Sequence, residues 1–143
     1  MSNPEIAKNI KTGSFNTNYH DLGKGETVMF IHGSGPGVSA YANWRLCMPY
    51  VAENFRVIAP DMVGFGYTDR PEGMVYNMDI WIKQVIDLMD ALNIEKTNLV
   101  GNSFGGGLAI SLAIKYPNRF NKIVLMGSMG IEFELTAGLD QAW

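Results

Sequence analysis

Cysteine is almost absent from the 143 residues: Cys47 stands alone, so no internal disulfide can form, which fits a reducing compartment. Long apolar runs are absent too; none reaches the ~18 residues that a membrane span needs. The opening segment MSNPEIAKNIKTG lacks the apolar centre of a signal peptide. These absences lead to the expectation of a cytoplasmic protein with no membrane partner. Basic residues are scarce, with 11 Lys and Arg against 14 Asp and Glu, net charge −3, and no cationic cluster. That excludes the usual electrostatic footprint of a nucleic-acid or anionic-membrane surface. Histidine is nearly missing: His20 and His32 are the two, and both precede residue 33. There is no internal repeat and no low-complexity segment.

What remains is ordinary for a globular chain, 47% hydrophobic and 17% charged. A single domain is the prior at this length, and such a chain buries about 68–70% of its unfolded surface. Residues 5–22 predict two short strands around the turn at Thr12-Gly13. "TVMFIHG" is a near-continuous apolar run, as in a strand buried on both faces, and "FRVIAPD" predicts another buried strand. "KTNLVGNS" and "NKIVLMGS" predict two further strands. Residues 38–53 predict a helix interrupted near Pro49. Trp81, Val85, Leu88, Met89 and Leu92 recur at helical spacing and predict a helix over 78–92, with Asn77 as its N-cap. A further helix over 104–116 is stopped by Pro117. Alternating buried strands and helices mean an α/β fold, a mostly parallel sheet with helices on both faces. In such sheets functional groups gather at the carboxyl ends of the strands. His32-Gly33-Ser34, Asp61 and Asn102-Ser103 all sit there.

Gly101-Asn102-Ser103-Phe104-Gly105 is a sharp strand-to-helix turn. Its glycines remove side chains that would collide where strand meets helix. The turn lifts the Ser103 hydroxyl above the sheet, beside a helix N-terminus that favours negative charge. Ser103 is therefore the candidate nucleophile, and the Phe104 N–H the first oxyanion donor. The bare G-x-S-x-G pattern occurs by chance as a structural turn; the strand before it and helix after it give it weight. A second segment, "FIHGSGPG", is a glycine-rich loop whose N–H groups can hold an anion, and Ser34 N–H is the second donor. It lacks the Gly-Lys-Ser/Thr of a phosphate-binding loop, and neither glycine run has the dinucleotide spacing. No cofactor and no metal are expected.

The partners a serine nucleophile needs are harder to find. His32 adjoins the oxyanion loop at the end of a buried strand, where it serves better as a fixture of that loop than as a base. Asp61, in "PDMVGFGYTDRP", is on the correct rim but precedes the serine, whereas acid and histidine follow it in the usual chain order. Holding loops through backbone N–H groups is its expected role. Glu132 is the first of three acids after the last strand, with Glu134 and Asp140, and a displaced triad acid at Glu132 stays open.

Together, "HGSGPGVSAYANWR", "PDMVGFGYTDRP" and "GNSFGGG" resemble the α/β-hydrolase superfamily, and within it the meta-cleavage product hydrolases. These hydrolyse a carbon–carbon bond in ring-fission products of catechols. The resemblance spans Pro4 to Trp143. It implies Ser103 as nucleophile, Ser34 and Phe104 as oxyanion donors, and Asn43 and Asn102 near the carboxylate and enol end of a dienoate substrate. It also implies the strand order 1-2-4-3-5-6-7-8. Family members are longer, continuing into a helical cap and two strands that carry the aspartate and the histidine. The expectation is thus the N-terminal half of such a fold, a core over 1–128 and a tail over 129–143, with the base and acid outside this chain. By itself it would be inactive or a trace esterase. The alternatives are a self-associating, non-catalytic half-domain and a general serine esterase. A sixth-strand edge with Ile123, Val124, Leu125 and Met126, and a tail with Ile131, Phe133, Leu135, Leu139 and Trp143, lead to an expected homodimer or higher oligomer.

Overall fold

The computed structural model describes residues 1–130, and the apolar runs supply the centre of its sheet. β1 (Lys8–Thr12), β2 (Phe15–Leu22), β3 (Thr27–Ile31), β4 (Arg56–Pro60), β5 (Thr97–Asn102) and β6 (Phe120–Met126) form one sheet in the order β1-β2-β4-β3-β5-β6. β1 and β2 pair antiparallel, as do β2 and β4. β4, β3, β5 and β6 run parallel. Every residue of β3 is buried, because both faces are covered. Met29 and Ile31 face one core with Ile58 and Leu99, and Val28 and Phe30 face the other with Val57 and Ala59. This is why the central strands show no polar alternation. Arg56 on β4 grips Asp21 on β2 with two N–H groups, Nε to Oδ1 at 3.0 Å and Nη2 to Oδ2 at 2.8 Å, across the antiparallel pair.

Helices α3 (Met78–Ala91) and α4 (Phe104–Lys115) cover the first face. Helices α1 (Ala40–Trp44) and α2 (Met48–Val51) cover the second. The Asn77 side chain caps α3, accepting from Ile80 N at 3.0 Å. α4 ends before Pro117, which opens a single 3-10 turn over Pro117–Arg119. The interruption expected near Pro49 lies elsewhere. The chain leaves the helical path between Trp44 and Met48, and Pro49 stands in the first turn of α2, where its missing N–H costs nothing. Among the described residues no helix is long and apolar enough to cross a membrane. Glu132 and the apolar tail residues from Ile131 onward lie outside the described residues.

Candidate active site

At the carboxyl end of β5 the chain turns into α4 through Ser103, which holds φ 54° and ψ −113°, a conformation L-residues avoid. The turn is tight because glycines permit it. A Cβ at Gly101 would overlap the Gly105 carbonyl, and one at Gly105 would overlap the carbonyl oxygens of Ile31 and His32. A serine at a helix start ordinarily bends its hydroxyl back to cap the N–H groups. Ser103 makes no such capping bond. Its main chain is fully engaged instead. Its N–H donates to Met126 O at 2.9 Å, and its carbonyl accepts from Gly106, Gly107 and Met129. The side chain is thus held up, exposed on the rim, at the positive end of α4.

The glycine-rich loop after β3 comes to the same place. The Cβ position at Gly33 lies 3.2 Å from Asn102 Nδ2 and 3.6 Å from Ser103 Cβ. The Gly33 N–H is spent, donating to Asn43 Oδ1 at 2.9 Å. Asn102 Nδ2 donates to the same oxygen at 3.1 Å. The next N–H in the loop, that of Ser34, and the Phe104 N–H at the head of α4 have no acceptor among the described residues. A pair of unspent N–H groups flanking an upright hydroxyl can stabilise an oxyanion formed on that hydroxyl.

His32 is fully buried between the loops that follow β3 and β4. Its Nε2 faces the Met62 N–H at 2.9 Å. A backbone N–H can only donate, so Nε2 accepts and the ring proton sits on Nδ1, which donates to Gly33 O at 2.6 Å. Burial holds the imidazole below its ordinary value of 6.5, against smaller opposing effects of the Gly33 bond and the Asp61 charge. Both ring nitrogens are committed to backbone, so His32 is a fixture and offers no free nitrogen to Ser103. His20 is buried on β2, with its ring 5.8 Å from that of Tyr41.

Asp61 is also fully buried, and its carboxylate accepts three N–H groups. Ala40 N donates to Oδ1 at 2.7 Å; Tyr67 N and Asn18 Nδ2 donate to Oδ2 at 2.8 and 2.9 Å. It ties β2, the start of α1 and its own loop together. Sequence reasoning missed Gln84. This buried amide on α3 accepts from Val63 N at 2.8 Å and donates to Thr17 Oγ1 and Asp61 O at 3.1 Å each. The signal was present: position 84 falls on the apolar stripe between Trp81 and Leu88, and a polar residue there needs a buried partner. Trp81 Nε1 likewise donates to Val63 O at 2.9 Å, and its ring lies edge-on to Phe104 at 4.7 Å. A cavity of about 490 Å³ opens beside this rim, between residues 35–39 and residues 64–67, with Arg70 and Glu5 at its edge. No group of three or more His, Cys, Asp or Glu that could hold a metal occurs among the described residues.

Residues 26–143 match the alpha/beta hydrolase fold family. The chain is 54% identical to the 2-hydroxymuconate semialdehyde hydrolase of Pseudomonas sp. strain CF600, over all of this chain and 50% of the relative. It is 50% identical to the 2-hydroxy-6-oxo-2,4-heptadienoate hydrolase of Pseudomonas putida strain F1, over 99% of this chain and 51% of the relative. Among solved structures, the meta-cleavage product hydrolase CumD of Pseudomonas fluorescens IP01, a serine-to-alanine mutant complexed with acetates, superposes with a TM-score of 0.91. It is 57% identical over 96% of this chain and 51% of that one. The chain therefore spans about half the length of the curated relatives it matches.

Proposed function

The chain belongs to the alpha/beta hydrolase fold family, and on that premise we propose that Ser103 is the nucleophile of a hydrolase acting on 2-hydroxy-6-oxo-dienoate ring-fission products. The observation that carries the reading is the upright Ser103 side chain, free of the capping bond a helix-start serine would make, between the unspent N–H groups of Ser34 and Phe104. The substrate class follows from the relatives, one named a 2-hydroxymuconate semialdehyde hydrolase and one a 2-hydroxy-6-oxo-2,4-heptadienoate hydrolase. In this reading the dienol first tautomerises to the ketone, which provides an electron sink. Ser103 Oγ then attacks the distal carbonyl carbon and gives its proton to a base. The oxygen gains charge opposite the two N–H groups. The C–C bond breaks, its electron pair passing into the ketone as an enol, and water releases the carboxylic acid. Asn43 and Asn102, bonded to each other at the rim, are the residues proposed to meet the carboxylate and enol end.

His32 is committed to backbone on both nitrogens, so in this reading the base reaches Ser103 from outside the described residues. Removing the histidine of a serine triad costs on the order of 10⁶ in kcat. The chain alone is therefore expected to show at most trace hydrolysis of p-nitrophenyl esters and no measurable dienoate turnover. Mixed with the separately produced C-terminal half of the CF600 relative, it is expected to consume the dienoate, and Ser103→Ala to abolish that consumption. Dienoate turnover by the chain alone within tenfold of an ordinary ~10 s⁻¹, or complemented turnover that survives Ser103→Ala, overturns the reading.

A further inference from the structure

We propose that His32 and Asn43 are positioning residues that aim the Ser34 N–H at the developing oxyanion, an inference that rests on the Ser103 reading above. The argument begins with one peptide unit. The Gly33 carbonyl and the Ser34 N–H belong to the same planar trans peptide, so they point in opposite directions. Whatever holds the carbonyl also sets the direction of the N–H. The group that holds it is His32 Nδ1, at 2.6 Å. The preceding peptide is pinned in turn, because the Gly33 N–H donates to Asn43 Oδ1 at 2.9 Å. Gly33 is a residue with wide backbone freedom, and the loop beyond it passes through Gly35 at φ 141° and Gly37 at φ 76°. Nothing intrinsic to this stretch fixes the Gly33–Ser34 peptide; two side chains do.

Each of those side chains is itself fixed. The imidazole accepts the Met62 N–H at 2.9 Å on its other nitrogen and lies edge-on to Phe65 with centroids 5.2 Å apart. The two N–H groups that converge on Asn43 Oδ1 settle which way its amide faces. One of them comes from Asn102, the residue directly before Ser103. The clamp therefore runs from the neighbour of the nucleophile, through Asn43, to the peptide that carries the donor. Phe104, the other donor, is placed by α4 and does not depend on it. The clamp also explains why a histidine with no free nitrogen stands one residue from the oxyanion loop.

That independence supplies the test. The ¹⁵N-labelled chain is titrated with sodium acetate, whose carboxylate oxygen stands in for the oxyanion, and the Ser34 and Phe104 amide signals are followed. In the parent chain both are expected to move downfield with one shared affinity. His32→Gln keeps an acceptor for Met62 but loses the donor to Gly33; Asn43→Ala loses the acceptor for Gly33. In both, the Phe104 response is expected to persist while the Ser34 response disappears or weakens about tenfold, the worth of one charge-assisted hydrogen bond. His32→Asn, which returns an N–H near the Nδ1 position, is expected to keep the Ser34 response. If His32→Gln does not fold, Asn43→Ala, at a half-buried site, carries the test alone. A Ser34 response in His32→Gln or Asn43→Ala equal to that of the parent, or equal loss in both His32 variants, overturns the proposal. A parent chain in which neither amide responds overturns the oxyanion-site reading itself.

Discussion

Ser103 and Gly105 are two residues apart, and they bear opposite risks. Ser103 holds φ 54°, a strain of about 1–3 kcal/mol for a residue with a Cβ. Alanine there keeps the strain and removes only a hydroxyl that makes no capping bond, so Ser103→Ala is expected to stay within about 0.5 kcal/mol of the parent. Gly105→Val would drive side-chain atoms into the carbonyls of Ile31 and His32, where strand and helix backbones meet. Its expected cost exceeds about 3 kcal/mol. Denaturant midpoints decide between them, and a Ser103→Ala chain less stable than Gly105→Val contradicts the elbow. His32 adds a pH dependence. Its folded pKa lies below the unfolded value near 6.5, so below that value the unfolded chain binds the extra proton. Stability from this group is intact above pH 6.5 and falls as pH drops through it towards the folded pKa. Midpoints measured from pH 8 down to about 5 are expected to show that decline, and His32→Asn to flatten it.

Between β4 and α3 the chain runs through a loop with no regular structure, and the polar side chains that fasten it decide the rim. Asp61→Ala would leave the N–H groups of Ala40 and Tyr67 and the Asn18 amide without their acceptor. Each buried donor left unpaired costs about 1–3 kcal/mol, so a loss of at least about 3 kcal/mol is expected in chemical denaturation. A variant within 1 kcal/mol of the parent would show that the loop is held by other means. The central strands β3 and β4 were legible beforehand because burial on two faces writes itself as apolar runs, and Asn77 and Pro117 mark helix ends by simple stereochemistry. The Ser103 turn was legible for the same reason, since glycines at 101 and 105 are demanded by backbone contact. The break before α2 was misplaced because proline both interrupts helices and opens them, and local sequence does not distinguish the two. The fastening of the rim was legible only in part. Asp61 could be expected to hold backbone, but which groups Gln84, Asn18 and Asn43 bond depends in each case on a partner 43 to 67 residues away, beyond the reach of any local pattern.

At the scale of the whole molecule, the sheet ends at β6 among the described residues. β6 pairs with β5 on one side, and its far edge has no strand partner among them. Val124 and Met126 share the face of Lys122, the face that α1 and α2 cover over β2, β3 and β4. Val124 is 54% exposed and Met126 48%, and Val124 overlooks a hollow of about 260 Å³ floored by Val28, Phe55 and Val100. Such an edge, with no proline and one charge, is a template for another strand. We propose a second copy of this chain as the partner. Two β6 strands meeting antiparallel about a two-fold axis at Val124 would place Lys122 opposite Met126, so no like charges face each other, and the sheets would join as one. Sedimentation from low to high micromolar is expected to show a concentration-dependent rise from the monomer mass to that of a dimer. Val124→Lys puts two cations at the axis and is expected to weaken association at least about tenfold, or 1.4 kcal/mol. A chain that stays monomeric at high micromolar, or a Val124→Lys chain that associates as the parent does, would mean that β6 is not the interface.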